Sequence, residues 1–259
     1  MTGSAADGVQ SVARALLGAW RDEASIDAAP LAGLLKTAED GYAVQERVAR
    51  ESGWFDRAVP QHWKSGGPTR ESVLTHAGLP PRRVWSSPAD ASGAHFNLRL
   101  IEAEVALRLA RDVSPAQAAA LSHEEAASLV DAMCVSIEIV DSRWREARTA
   151  PALLKLADLQ SHGALVLGAW RPFEARDWSR QACVVRIGNA QPKSFAGTHS
   201  LGDPAWLLPL WLRHATRQGA TVPQGTVVTT GTWCGMLEAH QGDLVRVEFE
   251  GIGEAEVQL

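Results

Sequence analysis

Three glutamates stand out by the company they keep. In the segment Asn97-Leu-Arg-Leu-Ile-Glu-Ala-Glu-Val-Ala-Leu107, Glu102 and Glu104 sit two residues apart within an apolar run. On a helix such a pair points about 200° apart, whereas on a strand the two share a face. Ile101, Ala103, Val105 and Leu107 alternate with them, so a strand buries these four and turns both carboxylates to the other side. Converging carboxylates repel unless a cation lies between them, and hard divalent cations prefer oxygen ligands. The run Val135-Ser-Ile-Glu-Ile-Val-Asp141 repeats the pattern: Val135, Ile137 and Ile139 form one apolar face, and Glu138 projects from the other beside Ser136. Spacing alone leaves three readings open. The glutamates ligate a metal, they face solvent on a half-exposed sheet, or they pair with Arg99, Arg108 and Arg143.

The elements that must position these groups change character along the chain. Residues 9–22 and 31–50 carry apolar positions at helical spacing, Leu31, Leu34, Leu35, Ala38 and Tyr42 among them, with Gly53 as a stop. From Val59 to Gly93, prolines and glycines punctuate a stretch with little periodicity, read as an irregular connection with short elements and a home for a lid or binding loop. Ser114-Pro115 and Ser122-His-Glu-Glu125 are helix starts, the second a capping box. A further helix begins at Asp203-Pro204 and ends near Gly219, with Pro209 as a kink. Leu165–Trp170, Cys183–Ile187, Thr226–Thr230 and Leu244–Phe249 read as strands. Helices first and strands later define an α+β protein, divided into a helical region with a lid loop at 1–95 and a β-rich metal-binding region at 96–259.

Composition bounds the function. The 259 residues carry a formal charge of −5, which disfavours nucleic acid or an anionic membrane as partner. No window supplies the roughly 18 apolar residues of a membrane span, and the N-terminal segment lacks the basic and apolar regions of a secretory signal. Cys134, Cys183 and Cys234 are odd in number and widely spaced, fitting buried thiols in a reducing cytoplasm. The ten tryptophans are read as packing residues. Neither a Rossmann glycine fingerprint nor a phosphate-binding P-loop is present.

Taken together, several blocks resemble the fumarylacetoacetate hydrolase superfamily, in its hydratase/decarboxylase branch. They are Gly41-Tyr-Ala-Val-Gln45, Trp63-Lys64-Ser-Gly66, Ile101-Glu-Ala-Glu-Val-Ala106, Ile137-Glu-Ile-Val-Asp-Ser-Arg143, Ala157-Asp158 with Gly163 to Gly168, Thr230-Gly-Thr232, and Gly242 to Gly253. The resemblance implies a rolled, distorted β-sandwich behind the helical part, with Mg²⁺ or Mn²⁺ held by Glu102, Glu104 and Glu138. It implies a 2-keto-4-pentenoate hydratase-like enzyme of aromatic catabolism, adding water to a short 2-hydroxy-2,4-dienoic acid. It further implies Lys64 as acid/base or enolate partner, its pKa lowered by the nearby cation, and self-association into a homo-oligomer. Asp158, Ser161 and Thr232 fall in blocks that line the cavity in relatives, and Asp141 and Arg143 support the Glu138 strand.

The resemblance breaks where specificity resides. Pro68-Thr69 replaces the usual Thr-Ser pair, and Leu79-Pro-Pro-Arg-Arg83 lacks the acidic residue that the branch places about eighteen positions after its lysine. Arg82 or Arg83 then offers a contact for a second carboxylate, as a decarboxylase of a 2-oxo-3-enedioate requires. A non-catalytic relative that binds metal and an oxo acid, and an acylpyruvate hydrolase, are the remaining readings. His62, His95 and His162 are further candidates for proton transfer.

Overall fold

The computed structural model describes residues 5–259. Residues 1–4, where the segment judged for a secretory signal begins, lie outside the described residues. The helices are α1 (Ala5–Arg21), α2 (Ala38–Glu51), α3 (Pro115–Ala120), α4 (His123–Ala126), α5 (Ala152–Ala157) and α6 (Leu208–Ala215). The helix expected over 31–50 begins only at Ala38. Thr37 and Asp40 form a capping box there, each side chain accepting from the other's backbone N–H, and Leu31 belongs to a separate 3₁₀ turn. Capping boxes at Ser114/Gln117 and Ser122/Glu125 start α3 and α4 as their sequences demand. Pro209 lies in the first turn of α6, where a missing N–H costs nothing.

The strands are β1 (His62–Gly66), β2 (Thr75–Gly78), β3 (Val84–Ser86), β4 (Ala89–Asp90), β5 (Leu100–Leu109), β6 (Val130–Val140), β7 (His162–Leu167), β8 (Arg171–Pro172), β9 (Ala182–Ile187), β10 (Lys193–Ala196), β11 (Val227–Thr232), β12 (Leu237–Glu238), β13 (Leu244–Phe249) and β14 (Gly253–Gln258). One sheet runs β2-β1-β11-β5-β6-β7-β3, with β12 added beside β5 and β8 beside β6. The other runs β10-β9-β13-β14-β4. The architecture is α+β, with helices at the N-terminus and a curled sheet. Three strands from 62–86, N-terminal to the expected division at 95/96, join the same sheet as β5.

The period-two alternation of β5 and β6 becomes a two-sided burial. Ile101, Ala103, Val105, Val135, Ile137 and Ile139 pack with Val245, Val247, Ala255 and Val257 of the second sheet in the main core. The opposite face carries a smaller apolar group, Leu79, Ala106, Cys134, Leu165 and Val227, around its acidic centre. A separate core joins α1, α2 and α5 through Val12, Leu16, Val44, Val48 and Leu154, with Trp144 among them. Trp144, Trp211 and Trp233 are fully buried, so three of the tryptophans are packing residues. No helix among the described residues is long and apolar enough to cross a membrane.

Candidate metal centre

The antiparallel register of β5 and β6 places Glu102 directly across from Glu138, and Glu104 across from Ser136. Like charges facing each other in this way destabilise a sheet. Nevertheless, one carboxylate oxygen from each of Glu102, Glu104 and Glu138 lies within 4.8 Å of the others. Glu104 and Glu138 are 2% and 0% exposed, while Glu102 is half-buried and opens onto a cavity. The three arginines that spacing offered as partners are engaged elsewhere. Arg108 pairs with Asp131, Arg143 with Asp158 and Asp141, and the Arg99 guanidinium lies over the Phe96 ring.

Each carboxylate is held differently. The hydroxyl of Thr229 and the N–H of Gly231 (3.0 Å), both on β11, donate to Glu104 Oε2. Ser136 Oγ lies 2.9 Å from the same threonine hydroxyl. Glu138 Oε1 accepts from Lys64 Nζ at 2.5 Å and lies 3.1 Å from His162 Nδ1. Burial, then the charges of Glu104 and Glu138, push the Glu102 carboxyl up to about 8, against the pull of Lys64. Burial and Glu138 push Glu104 up to about 7, opposed by Thr229, Lys64 and Gly231. Burial also works to raise Glu138, but Lys64 and His162 more than offset it and its pKa is lowered. Lys64 is the mirror case: burial disfavours its ammonium, and Glu138, Glu102 and Glu104 outweigh burial and raise its pKa. With no ion among them, these carboxylates hold Lys64 as an ammonium ion.

The donor set fits a divalent ion. Glu138 Oε2 is buried with no hydrogen-bond partner, a costly state for a carboxylate oxygen. A cation held by the three carboxylates would offset the repulsion that, after burial, raises Glu102 and Glu104. Oxygen donors of this kind suit Mg²⁺, Mn²⁺ or Ca²⁺. His162 supports the set from behind: burial lowers its pKa, so it is a neutral ring beside Glu138 Oε1.

A strained turn forms one wall. After α5, Leu159, Gln160 and Ser161 have φ of 51°, 55° and 60°, three successive non-glycine residues in the left-handed region. Such residues cost about 1–2 kcal/mol each. Hydrogen bonds over-determine the turn. Gln160 N donates to Lys155 O (2.9 Å), Ser161 N to Asp158 O (2.8 Å), and Asp141 N to Ser161 O (2.9 Å). Its products are a Gln160 carbonyl 3.2 Å from Lys64 Nζ and a Gln160 amide bonded to the Thr75 hydroxyl. The cavity outside has a volume of about 440 Å³, within the range of small-molecule sites. Glu102, Gln160, Ser161, Arg148, Lys155 and Met236 are among its lining residues.

The structure thus brings together Lys64, Glu102, Glu104, Glu138 and, at the cavity wall, Ser161. Asp158 is placed differently: it is fully buried and accepts from Arg143 N (3.0 Å) and Nε (2.6 Å). Burial pushes it up to about 6, against Arg143. Thr232 accepts from Cys234 N at 3.1 Å and donates to Gly235 O at 3.1 Å, fixing a turn. Arg82 is exposed, and Arg83 lies 3.6 Å from Glu23 and over Phe96, in a separate cleft with His95, Asn97 and Asp141. Of the three histidines, only His162 meets the glutamates; His62 is half-buried with a buried, unpartnered Nδ1, and His95 is exposed. Thr229, Ser136, Gln160, Arg148 and Lys155 were missed. Strand alternation supplied a signal for Thr229, which shares its register position with Lys64, and for Ser136, which shares a strand face with Glu138; no sequence signal marked the others.

With this geometry in place, comparison with known proteins is decisive for the family. Residues 71–259 match the family described as fumarylacetoacetate (FAA) hydrolase C-terminal, and the chain belongs to that family. A 4-oxalocrotonate decarboxylase of a Pseudomonas species is 28% identical over 130 residues, covering 50% of each chain. The chain therefore matches half the length of that curated relative. The 4-oxalocrotonate decarboxylase of Pseudomonas putida G7 shares the fold over 97% of both chains. Its complex with calcium and acetate gives a TM-score of 0.81 at 19% identity, and its complex with magnesium and adipate gives 0.82 at 18%. Fumarylpyruvate hydrolase from Pseudomonas aeruginosa, with Mn²⁺ and pyruvate, gives 0.56 at 13% identity over 77% of this chain and 89% of that one. These neighbours carry Ca²⁺, Mg²⁺ or Mn²⁺, the ions that the three glutamates here are suited to bind.

Proposed function

We propose that this protein is a divalent-metal-dependent enzyme that decarboxylates a short 2-oxo-3-enedioate. The observation that carries the metal dependence is the unpartnered, buried Glu138 Oε2 among three converging carboxylates. A cation held by Glu102, Glu104 and Glu138 supplies a Lewis acid that stabilises negative charge on a 2-oxo oxygen. In a 2-oxo-3-enedioate the distal carboxylate sits on a methylene beside the 3,4-double bond, which is conjugated with the 2-oxo group, so the molecule is a vinylogous β-keto acid. When the bond to that carboxylate breaks, CO₂ departs and the electron pair moves through the double bond to the 2-oxygen. One proton then completes a 2-hydroxy-2,4-dienoate.

Lys64 is the group placed to serve that oxygen. Its ammonium is positioned by Glu138 Oε1 and the Gln160 carbonyl, and it donates a hydrogen bond or a proton to developing negative charge. Glu138 is thereby both ligand and anchor, and His162 fixes its orientation. Ser161 and Gln160 offer polar contacts at the cavity wall.

Decarboxylation is favoured over hydration because of what lines the cavity. Beyond Glu102, its ionisable side chains are Arg148 and Lys155, with no second carboxyl and no imidazole among the described residues. Water addition needs two well-matched proton-transfer groups; loss of CO₂ needs an electron sink and one proton. The 4-oxalocrotonate decarboxylase relative supports the same choice. Hydration of a 2-hydroxy-2,4-dienoate is the second reading, favoured by Lys64 as a proton carrier close to the ligand set.

The test supplies the full chain with Mg²⁺ and either 2-oxo-3-hexenedioate or 2-hydroxypenta-2,4-dienoate, following CO₂ release and ultraviolet absorbance. Chelator-sensitive CO₂ release from the first is expected. Absorbance loss from the second without CO₂ release from the first establishes hydration instead, and undiminished turnover in excess chelator overturns the metal dependence.

A further inference from the structure

Arg148 and Lys155 share the cavity that Glu102 opens onto, yet nothing in the chain uses their charge. Arg148 lies on the 3₁₀ turn Ala147–Thr149 and is exposed; Lys155 is half-buried on α5. Lys155 Nζ donates to the Arg148 carbonyl at 3.0 Å, which ties the two positions together without neutralising either. Among the described residues neither forms an ion pair. The nearest acidic residue in sequence, Glu146, is turned away and accepts from Ala28 N at 3.0 Å. The one carboxylate in the lining, Glu102, belongs to the metal set.

Resting on the 2-oxo acid reading above, we propose that Arg148 and Lys155 form an anion subsite that receives the distal carboxylate of a dicarboxylic substrate. This assigns to them the contact that the sequence suggested for Arg82 or Arg83, which lie outside this cavity. A 2-oxo dioic acid anchored at the glutamates by its 2-oxo-carboxylate head carries its second charge towards two unpaired cations. A monocarboxylate of the same length leaves them unused. The pairs are solvated at the cavity mouth, so they add selectivity and steering without a large affinity. That weakness suits a carboxylate that must leave as CO₂, since binding lost in the transition state slows the chemical step.

The test is a binding measurement on the Mg²⁺-loaded full chain with two saturated probes of equal length, 2-oxohexanedioate and 2-oxohexanoate. They differ only in the distal carboxylate, and neither has the conjugated bond needed to react. Calorimetry is expected to show the dioate binding about tenfold more tightly, with the preference shrinking as salt is raised. The preference falls by about threefold in Arg148→Gln and in Lys155→Gln and vanishes in the double variant, while binding of 2-oxohexanoate is unchanged in all three. In turnover of 2-oxo-3-hexenedioate the same variants raise KM without lowering kcat. Equal binding of the two probes to the wild type overturns the subsite alone, as does a preference that survives in the double variant. Binding of neither probe overturns the 2-oxo acid reading, and the subsite with it.

Discussion

Lys64 Nζ lies 2.5 Å from Glu138 Oε1, while the second oxygen of the same carboxylate, Oε2, is buried and unpartnered. One side chain would therefore serve both the built-in ammonium and a divalent ion held by the three glutamates. Removing either partner must register on the other, and the first two predictions follow from that coupling.

Glu138→Gln removes a proposed ligand and the ammonium's anchor together. Mg²⁺ affinity is expected to fall by at least about a hundredfold, since affinity follows the count of charged ligands. Isothermal calorimetry measures it directly. Wild-type affinity in this variant removes Glu138 from the ligand set.

Lys64→Met separates binding from chemistry. The substitution deletes a positive charge beside the glutamates, so Mg²⁺ binds as tightly as in the wild type or more so. Turnover nevertheless drops by about 10²–10⁴-fold, the usual worth of a positioned proton donor. Retained turnover assigns Lys64 a structural role only.

The pH dependence has a definite sign. Glu102 and Glu104 are raised to about 8 and about 7, so the folded chain holds protons that the unfolded chain releases. Their contribution to stability is full below about pH 4.5 and is lost as pH rises through those raised values. Mg²⁺ requires both carboxylates ionised and must displace these protons at lower pH. The increase in melting temperature caused by Mg²⁺ should therefore be larger near about pH 8 than near about pH 6. Scanning calorimetry with and without the ion decides it, and a shift independent of pH contradicts the raised values.

Strain at Gln160 is measurable by reversal of a familiar order. At ordinary positions Gly is less stabilising than Ala by about 0.5–1 kcal/mol. With φ of 55° at this position, Gln160→Gly should instead be more stable than Gln160→Ala by about 1 kcal/mol. Both lose the amide bonded to Thr75, so the comparison isolates the backbone. Urea denaturation of the pair gives the answer.

The histidine cluster predicts acid sensitivity. The His214 ring lies 4.6 Å from that of His76, and burial lowers the two to about 2 and about 3. Both are neutral when folded and take up protons when unfolded, so stability falls as pH drops below about 6.5. His214→Phe should reduce proton uptake on unfolding by about one at pH 5, read from the pH dependence of denaturation. An unchanged dependence sinks the assignment.

The strands that carry the three glutamates were legible because β5 and β6 are long, apolar residues alternate with the acidic ones around Glu102, Glu104 and Glu138, and carboxylates in so apolar a run demand an explanation. The start of α2 was misplaced because 31–37 carries apolar residues at helical spacing, and the capping chemistry of Thr37 and Asp40 decides the boundary instead. The cavity wall was hidden for a different reason. Three left-handed residues without a glycine carry no local signature, since tertiary hydrogen bonds hold them. Arg148 and Lys155 likewise depend on how α5 docks, which no spacing encodes. Arg82 and Arg83 drew attention by adjacency in sequence, while the fold turns Arg83 towards Glu23.

The docking of the N-terminal helices has a consequence for cooperativity. Gln45 on α2 donates to Leu156 O on α5 at 2.7 Å, Trp144 Nε1 donates to Leu154 O at 2.8 Å, and the Arg143 guanidinium rests 4.2 Å from the Trp20 ring centroid. The helical layer is thus a brace for the turn that presents Gln160 and Ser161, and opening that layer slackens the cavity wall. Occupancy of the cavity and amide-exchange protection in α1 and α2 become linked quantities. A ligand that touches neither helix will still slow their exchange.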